Sequence, residues 1–591
     1  MRCLFLLALA AAPLAGQRFS PLKTIDTKNV QKLRVAWTYH TGALDPPTNL
    51  NHKAAFESTP VLADGLLYVT TPFNAVIALD PATGAEKWKY DPKVDRSHDY
   101  SEVSNRGVAA WTDTKAAQDA PCRLIVFEGT LDARLLAIDG KSGKLCYSID
   151  LTADVDFRHK GGYQVTSAPT VVGDLVITGS SIADNNAVDM ERGIVRAFDA
   201  RTGKLRWTWD PIPWAAEQKT RTGAANAWSG ITADPGRDLV FVPTGSASPD
   251  YFGGTRPGDN RHANSVVALR ASTGQLVWSF QVVHHDLWDY DVAPPPALIE
   301  FRGRPAVAVN TKMGSLFVLD RETGKPLATV EERSVPKSDV PGEDAAPTQP
   351  ISALPPLVPQ KMTEDDIGGA TPEMHKWCLD TFRKLRNEGM FTPPSLGGTL
   401  VYPGNVGGVN WGGAVWDPAR NLLFANTNHL AAIIRLAGRD ERPGSTKMER
   451  EIGREVEFGR QSGAPYGVLR DYLLSPDRMP CNKAPWGPLV AYDLAAGKVR
   501  WESQVGPALT LGGPIATAGG LVFTGAGMDT YLRAFNSDTG AELWKGELPA
   551  SAQSIPTTYE FGGRQYVVVC AGGHGKLGTK MGDAVVAFTL P

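Results

Sequence analysis

Short runs of alternating apolar and polar residues recur along the chain. Each ends at an acid or its substitute, then a glycine turn, then an aromatic. The phrase reads IALDPATGAEKW at 77–88, AIDGKSGKLCY at 137–147, AFDARTGKLRW at 197–207 and ALRASTGQLVW at 268–278. It returns as VLDRETGKPL at 318–327, AYDLAAGKVRW at 491–501 and AFNSDTGAELW at 534–544. Period-two alternation predicts strands with one buried face, and the glycine supplies the positive-φ position of a hairpin turn. A strand pair cannot bury its own face, so such units must stack, and the aromatic after the turn can dock on the next unit. An eighth copy is split. YVVVCAGG and DAVVAFTLP, within 566–591, supply inner strands, and KLRVAWTYHTG at 32–42 supplies an outer strand with Trp37. Pairing the two ends closes a ring and removes open sheet edges. The expected fold is therefore all-β: an eight-bladed β-propeller of four-stranded, Trp-docking blades, the last closed by N- and C-terminal strands. A sandwich or an open solenoid fits a repeat spacing of about 45–70 residues less well.

Two stretches break the rhythm. Residues 334–400 are Pro-rich and contain a predicted helix in TPEMHKWCLDTFRKLRNEG, and 436–485 form the second irregular stretch. Both are read as insertions over one face of the ring, where access to a site is shaped. At 591 residues the chain is long for one domain, but a ring of blades accounts for it. A net charge of −3 gives no nucleic-acid footprint. The start, MRCLFLLALAAAPLAGQ, has a basic residue, an apolar run and small residues. It is expected to be a signal peptide over 1–17, leaving 18–591 as an exported, soluble, periplasmic domain with no transmembrane segment. In that oxidising setting Cys122–Cys146 is the expected disulfide, with Cys378–Cys481 a second candidate. No CxxCH occurs, which excludes a c-type haem.

The polar cluster HHDLWDYDV at 284–292 carries the candidate chemistry. Neighbouring histidines in extended chain point to opposite faces, which weighs against zinc. This stretch, the Trp-and-Gly repeat, NTKMGSLFVLDRETG, FTPPSLGGTLVYPGN and CAGGHGKLGTKMGD together resemble the pyrroloquinoline quinone (PQQ) dependent dehydrogenases. Within them the sequence is most similar to the periplasmic domain of membrane-bound quinoprotein glucose dehydrogenase. That family carries a membrane-spanning N-terminal region where this sequence has a leader.

PQQ is a flat ortho-quinone with carboxylates, so a site for it needs cations, donors and a flat apolar floor. It also needs a divalent ion, which oxygen ligands would make Ca²⁺ or Mg²⁺. The resemblance implies metal ligation by Asp184 of GSSIADN (beside Asn185), by Ser246 of TGSASPD and by Asp286. Ser246 stands where the alcohol-oxidising relatives carry Asn. Trp228 of NAWSG would be the floor, and Arg106 of SNRGVAAW a carboxylate partner. Glu57, Thr166, Ser181, Asn410, Trp411 and His574 would be further cofactor contacts. Glu102, Tyr100 and His98 are candidates to cover its upper face, because the paired cysteines of the alcohol enzymes are missing. Lys312 would stand beside the quinone oxygens. Asp286 would take the hydroxyl proton as hydride passes to PQQ, with Asp289 and Asp291 as loop framework. The implied activity is oxidation of a small-molecule alcohol, polyol or sugar, with electrons passed to a quinone or external carrier. The competing reading, a non-catalytic propeller scaffold for protein partners, leaves Asp184, Trp228, Asp286 and Lys312 unexplained as a set.

Overall fold

The computed structural model describes residues 18–591 except 46, 154, 214–220 and most of 442–455, so the leader expected at 1–17 lies outside the described residues. Eight mainly antiparallel sheets of three to five strands follow one another along the chain. The first joins Val61–Ala63, Leu66–Thr70, Val76–Leu79 and Glu86–Tyr90 in that order. The last runs in the order Arg34–His40, Ala584–Thr589, Arg564–Ala571, Thr557–Phe561, each strand paired with the next. Trp37 stands opposite Ala587 in this register. Apolar side chains fill the space between consecutive sheets, as where Tyr68, Val76 and Ala78 meet Leu124, Val126 and Leu136.

The repeat has a concrete mechanical role. Gly84, Gly274, Gly324 and Gly540 all have φ near +70°, and each lies against a tryptophan ring of the preceding sheet. A Cβ at Gly84 would stand 2.5 Å from the Trp37 ring. The indole N–H then donates to a carbonyl of the same turn: Trp37 to Pro81 at 3.2 Å, Trp207 to Ala271 at 2.8 Å, Trp501 to Ser537 at 3.1 Å. Glycine is needed twice over, for its left-handed backbone and for the close approach. Tyr147 replaces tryptophan against Gly203, with its hydroxyl on the Ala200 carbonyl at 2.6 Å.

Two sheets depart from the four-strand expectation. The sheet of Ala297–Phe301, Arg304–Asn310 and Leu316–Asp320 has three strands. Its copy of the phrase runs on to Pro326 in place of a strand residue, and proline has no N–H to give a ladder. Only an isolated bridge, Leu319 to Pro326, remains at that edge among the described residues. The sheet built on Ile515–Thr517 has five strands, because Phe19–Ser20 adds to it in parallel.

Leu422–Asn426 pairs directly with Pro488–Asp493. Everything between them is therefore one insertion, longer than the irregular stretch at 436–485. Its strands Ala432–Gly438, Tyr466–Tyr472 and Glu457–Gly459 form a further sheet, which Thr399–Val401, from before the insertion, joins beside Ala432–Gly438. The helix expected within 334–400 runs over Pro372–Phe382, with the Thr371 hydroxyl accepting from the Met374 N–H at its start. Cys378 of this helix is bonded to Cys481 near the end of the insertion, and Cys122 is bonded to Cys146. Among the described residues no helix is long and apolar enough to cross a membrane.

Candidate active site

A cavity of about 610 Å³ opens where segments linking consecutive sheets converge under the inserted sheet. Glu57, Arg106, Ser181, Asp184, Trp228, Lys312, Asn410, Trp411 and His574 all line it. They come from segments far apart in sequence, with Ser181 and Asp184 sharing one segment and Asn410 and Trp411 another.

Trp228 precedes the strand Thr232–Asp234 and is fixed on both sides. Its indole N–H donates to Asp291 at 3.0 Å, and its carbonyl accepts from the Thr166 hydroxyl at 3.1 Å and from Arg106 at 3.3 Å. Thr166 does not line the cavity; it holds Trp228 and Arg106, accepting from the latter at 2.7 Å. The Arg106 guanidinium lies 5.1 Å from the Trp228 ring centroid and 5.0 Å from that of Trp411. The Lys312 ammonium lies 5.8 Å from the Trp228 centroid. A flat indole flanked by two cations suits a flat, anionic aromatic ligand. Arg106 pairs with Glu57 at 2.9 Å and Glu102 at 3.5 Å. Burial pushes the Glu57 carboxyl up to about 7, opposed by Arg106 and reinforced by Glu102. Burial likewise lowers His574 to about 4. Tyr100 and Glu102 line the cavity; His98 does not.

The stretch HHDLWDYDV folds differently from its expected roles. Asp286 is 2 % exposed and does not reach the cavity. Its carboxylate accepts from the Ser246 hydroxyl at 2.6 Å and from the backbone N–H of Trp288 and Tyr290 at 3.2 and 3.1 Å. Those bonds make it the internal brace of the loop. Asp289 and Asp291, expected as framework, are the residues that line the cavity. Lys312 bonds both, at 2.7 and 2.9 Å. Burial tends to lower the Lys312 pKa, but Asp289 and Asp291 hold it above the ordinary lysine value. Burial raises Asp289, with Lys312 opposing.

Ser246 is also displaced from its expected role. It is fully buried behind the wall, where its hydroxyl serves Asp286 and Asp291 and accepts from Asn264 at 3.0 Å. Four positions on, Asp250 is fully buried with no donor on either carboxylate oxygen among the described residues. Burial, then the neighbouring carboxylates, raise both Asp184 and Asp250 well above the usual range, and each feels the charge of Asp289 and Asp291. The Asn185 amide oxygen is likewise buried without a donor. Buried polar atoms in folded proteins are nearly all satisfied. The buried carboxylates of Asp184 and Asp250 with the Asn185 amide oxygen form the hard-oxygen set that Ca²⁺ or Mg²⁺ takes. No three of these carboxylates bring their oxygens within 4.8 Å of one another among the described residues, which leaves room for water in the shell. Asp250 was legible in TGSASPD as the one acid of that segment, but sequence alone did not separate it from a turn residue.

The insertion closes the far side. Glu457, Phe458, Gly459, Arg470 and Tyr472 of its sheet line the cavity. Arg470 and Tyr472 are two apart on Tyr466–Tyr472 and so share a face. Nothing in the blade repeat pointed to them.

Comparison with known proteins gives a consistent result. Residues 10–567 match the PQQ family described as "Glucose/ethanol/alcohol dehydrogenase, beta-propeller domain". Quinoprotein glucose dehydrogenase A of Acinetobacter calcoaceticus is 38% identical, over 98% of this chain and 78% of the relative. Quinate/shikimate dehydrogenase (quinone) of Acinetobacter baylyi is 36% identical, over 97% of this chain and 77% of the relative. The solved quinohemoprotein alcohol dehydrogenase from Comamonas testosteroni superposes with a TM-score of 0.72 at 26% identity, covering 98% of this chain and 80% of that one.

Proposed function

Since the chain belongs to the PQQ β-propeller dehydrogenase family, we propose that it oxidises the CH–OH group of a small alcohol, polyol or sugar in the periplasm and passes the electrons to a quinone or external carrier. It is an oxidoreductase of the PQQ-dependent class. In this reading the mature domain spans 18–591, and its eight sheets are the blades of a ring closed by the terminal strands. One observation carries the assignment: Trp228, the cations Arg106 and Lys312, and the carboxylates Asp184, Asp289 and Asp291 line one cavity, with the donorless Asp250 buried behind its wall.

Trp228, Trp411 and Arg106 would hold PQQ, with Glu57, Ser181, Asn410 and His574 at its edges. Asp184, Asn185, Asp250 and Asp289 would hold Ca²⁺ or Mg²⁺. When bound, PQQ supplies a two-electron acceptor and the ion a Lewis acid beside it. Asp289 takes the substrate hydroxyl proton, a role worth about 10²–10⁴-fold. Lys312 orients that carboxylate and, with Asp291, keeps the Trp228 edge fixed. Burial of Asp289 and Lys312 limits water beside the reacting atoms.

The test is reconstitution of the purified protein with PQQ and Ca²⁺ or Mg²⁺, followed by dye reduction with glucose, glycerol and ethanol. Dye reduction that needs both additions is the expected result. A protein that takes up no PQQ would instead be a scaffold for protein partners.

A further inference from the structure

The dehydrogenase reading leaves one charged group of the cavity unused. Arg470 lies on the inserted sheet, in register with Glu457 and Ile434 of the flanking strands. Its side chain is 10 % exposed and lines the cavity. One terminal nitrogen meets Glu457 at 2.5 Å and the other the Tyr251 hydroxyl at 3.3 Å. The second also stands 3.9 Å from Asp289, too far for a direct hydrogen bond. Among the described residues Nε is buried without a partner. A guanidinium carries N–H groups on all three nitrogens, so donor capacity is left over beside the carboxylate assigned to the substrate hydroxyl.

We propose that Arg470 determines substrate specificity by binding a second hydroxyl oxygen, vicinal to the one that Asp289 deprotonates. With 3.9 Å between Arg470 and Asp289, the hydroxyls of two bonded substrate carbons can each reach one of the two groups. The charge balance selects the substrate class. Glu457 and Asp289 already face Arg470, so a neutral acceptor fits and a second carboxylate is repelled. The preferred substrates are then vicinal polyols and sugars, rather than monohydric alcohols or hydroxy acids. The selecting group belongs to the insertion rather than to a blade, so specificity can change while the cofactor site stays intact.

This inference rests on the dehydrogenase reading, and the experiment separates the two. Holoenzyme loaded with PQQ and Ca²⁺ is assayed by dye reduction on two matched pairs: glycerol against 1-propanol, and glucose against 2-deoxyglucose. Arg470→Met is expected to lower kcat/KM for glycerol and glucose by about 10- to 100-fold, mainly through KM, the range for a hydrogen bond to a charged donor. Losing the Arg470 charge beside Asp289 acts on all four substrates alike, so the losses on 1-propanol and 2-deoxyglucose should be about 10-fold or more smaller than on glycerol and glucose. Arg470→Lys keeps a cation and should recover part of the loss. Thermal-shift titration with glucose and 2-deoxyglucose reads binding without turnover, and only the glucose shift should shrink in Arg470→Met. PQQ uptake should match wild type in both variants. Equal losses across each pair, or none, overturn the role of Arg470 while leaving the dehydrogenase standing. A wild-type holoenzyme that oxidises none of the four compounds removes the dehydrogenase reading and this one with it.

Discussion

Asp286, Asp289 and Asp291 lie within six positions, yet their surroundings give them different work. Asp289→Asn should reduce kcat by at least about 10²-fold with PQQ still bound, the scale of a lost general base. Asp286→Asn should instead destabilise the fold by about 1–3 kcal/mol, read as a lower Tm, because Ser246, Trp288 and Tyr290 lose an ionised acceptor. Steady-state rates and thermal unfolding of the two variants check this; a larger kcat loss in Asp286→Asn would return the base to that position. Glu57 gives a prediction in pH. Its folded pKa, about 7, lies above its ordinary 4.5. Its contribution is fully present below pH 4.5 and is lost as pH rises through 7, a change on the order of 3 kcal/mol. The apo protein should lose Tm across that window, and Glu57→Gln should flatten the slope. An unchanged slope in the variant would place the effect elsewhere.

At the scale of the element, the repeating unit is a hairpin whose turn glycine receives a ring from the sheet before it. Gly274 and Gly303 have nearly the same φ, +72° and +74°. A Cβ at Gly274 would meet the Trp207 ring at 2.6 Å, whereas one at Gly303 would meet nothing within 4 Å. Gly303→Ala therefore reports backbone strain alone, about 1 kcal/mol. Gly274→Ala adds the collision and should cost about 1–3 kcal/mol more. Chemical denaturation of both variants measures the difference; equal losses would mean that the indole moves aside freely. The missing outer strand after Leu316–Asp320 follows the same logic, since its copy of the phrase has Pro326 and no aromatic.

At the scale of the molecule, Asp184 lies in a loop of one sheet, and Asp250 and Asp289 in loops that leave strands of the next, so an ion held by them would tie two neighbouring sheets together. Ca²⁺ at about a hundredfold over its Kd should stabilise the protein by about 2.7 kcal/mol relative to EDTA. Asp250→Ala should abolish that gain. In EDTA the variant should be no less stable than wild type, because it removes a buried carboxylate with no donor. A full Ca²⁺ gain in the variant would move the ion elsewhere. The same geometry explains the division of labour in the ring. Repeated hairpins set the frame, and the segments between sheets, free of the repeat, carry the charged groups.

The sequence by itself determined the hairpins, their glycine turns, the docking aromatics and the family, because each depends on residues close together or on a period of two; it offered the cysteine pairs only as candidates, and Cys378 and Cys481 stand 103 residues apart. It also brought most of the cavity-lining positions into view, since Trp228, Arg106 and Lys312 interrupt the repeat. Only the tertiary structure decided which aspartate of HHDLWDYDV faces the cavity. His285 and Asp289 both have positive φ, +46° and +60°, and a left-handed residue turns the chain so that alternation no longer counts faces. The same holds for Asp250 and Arg470: Asp289 lies 39 positions from the first and 181 from the second, and the charge around them exists only once separate segments have been buried together.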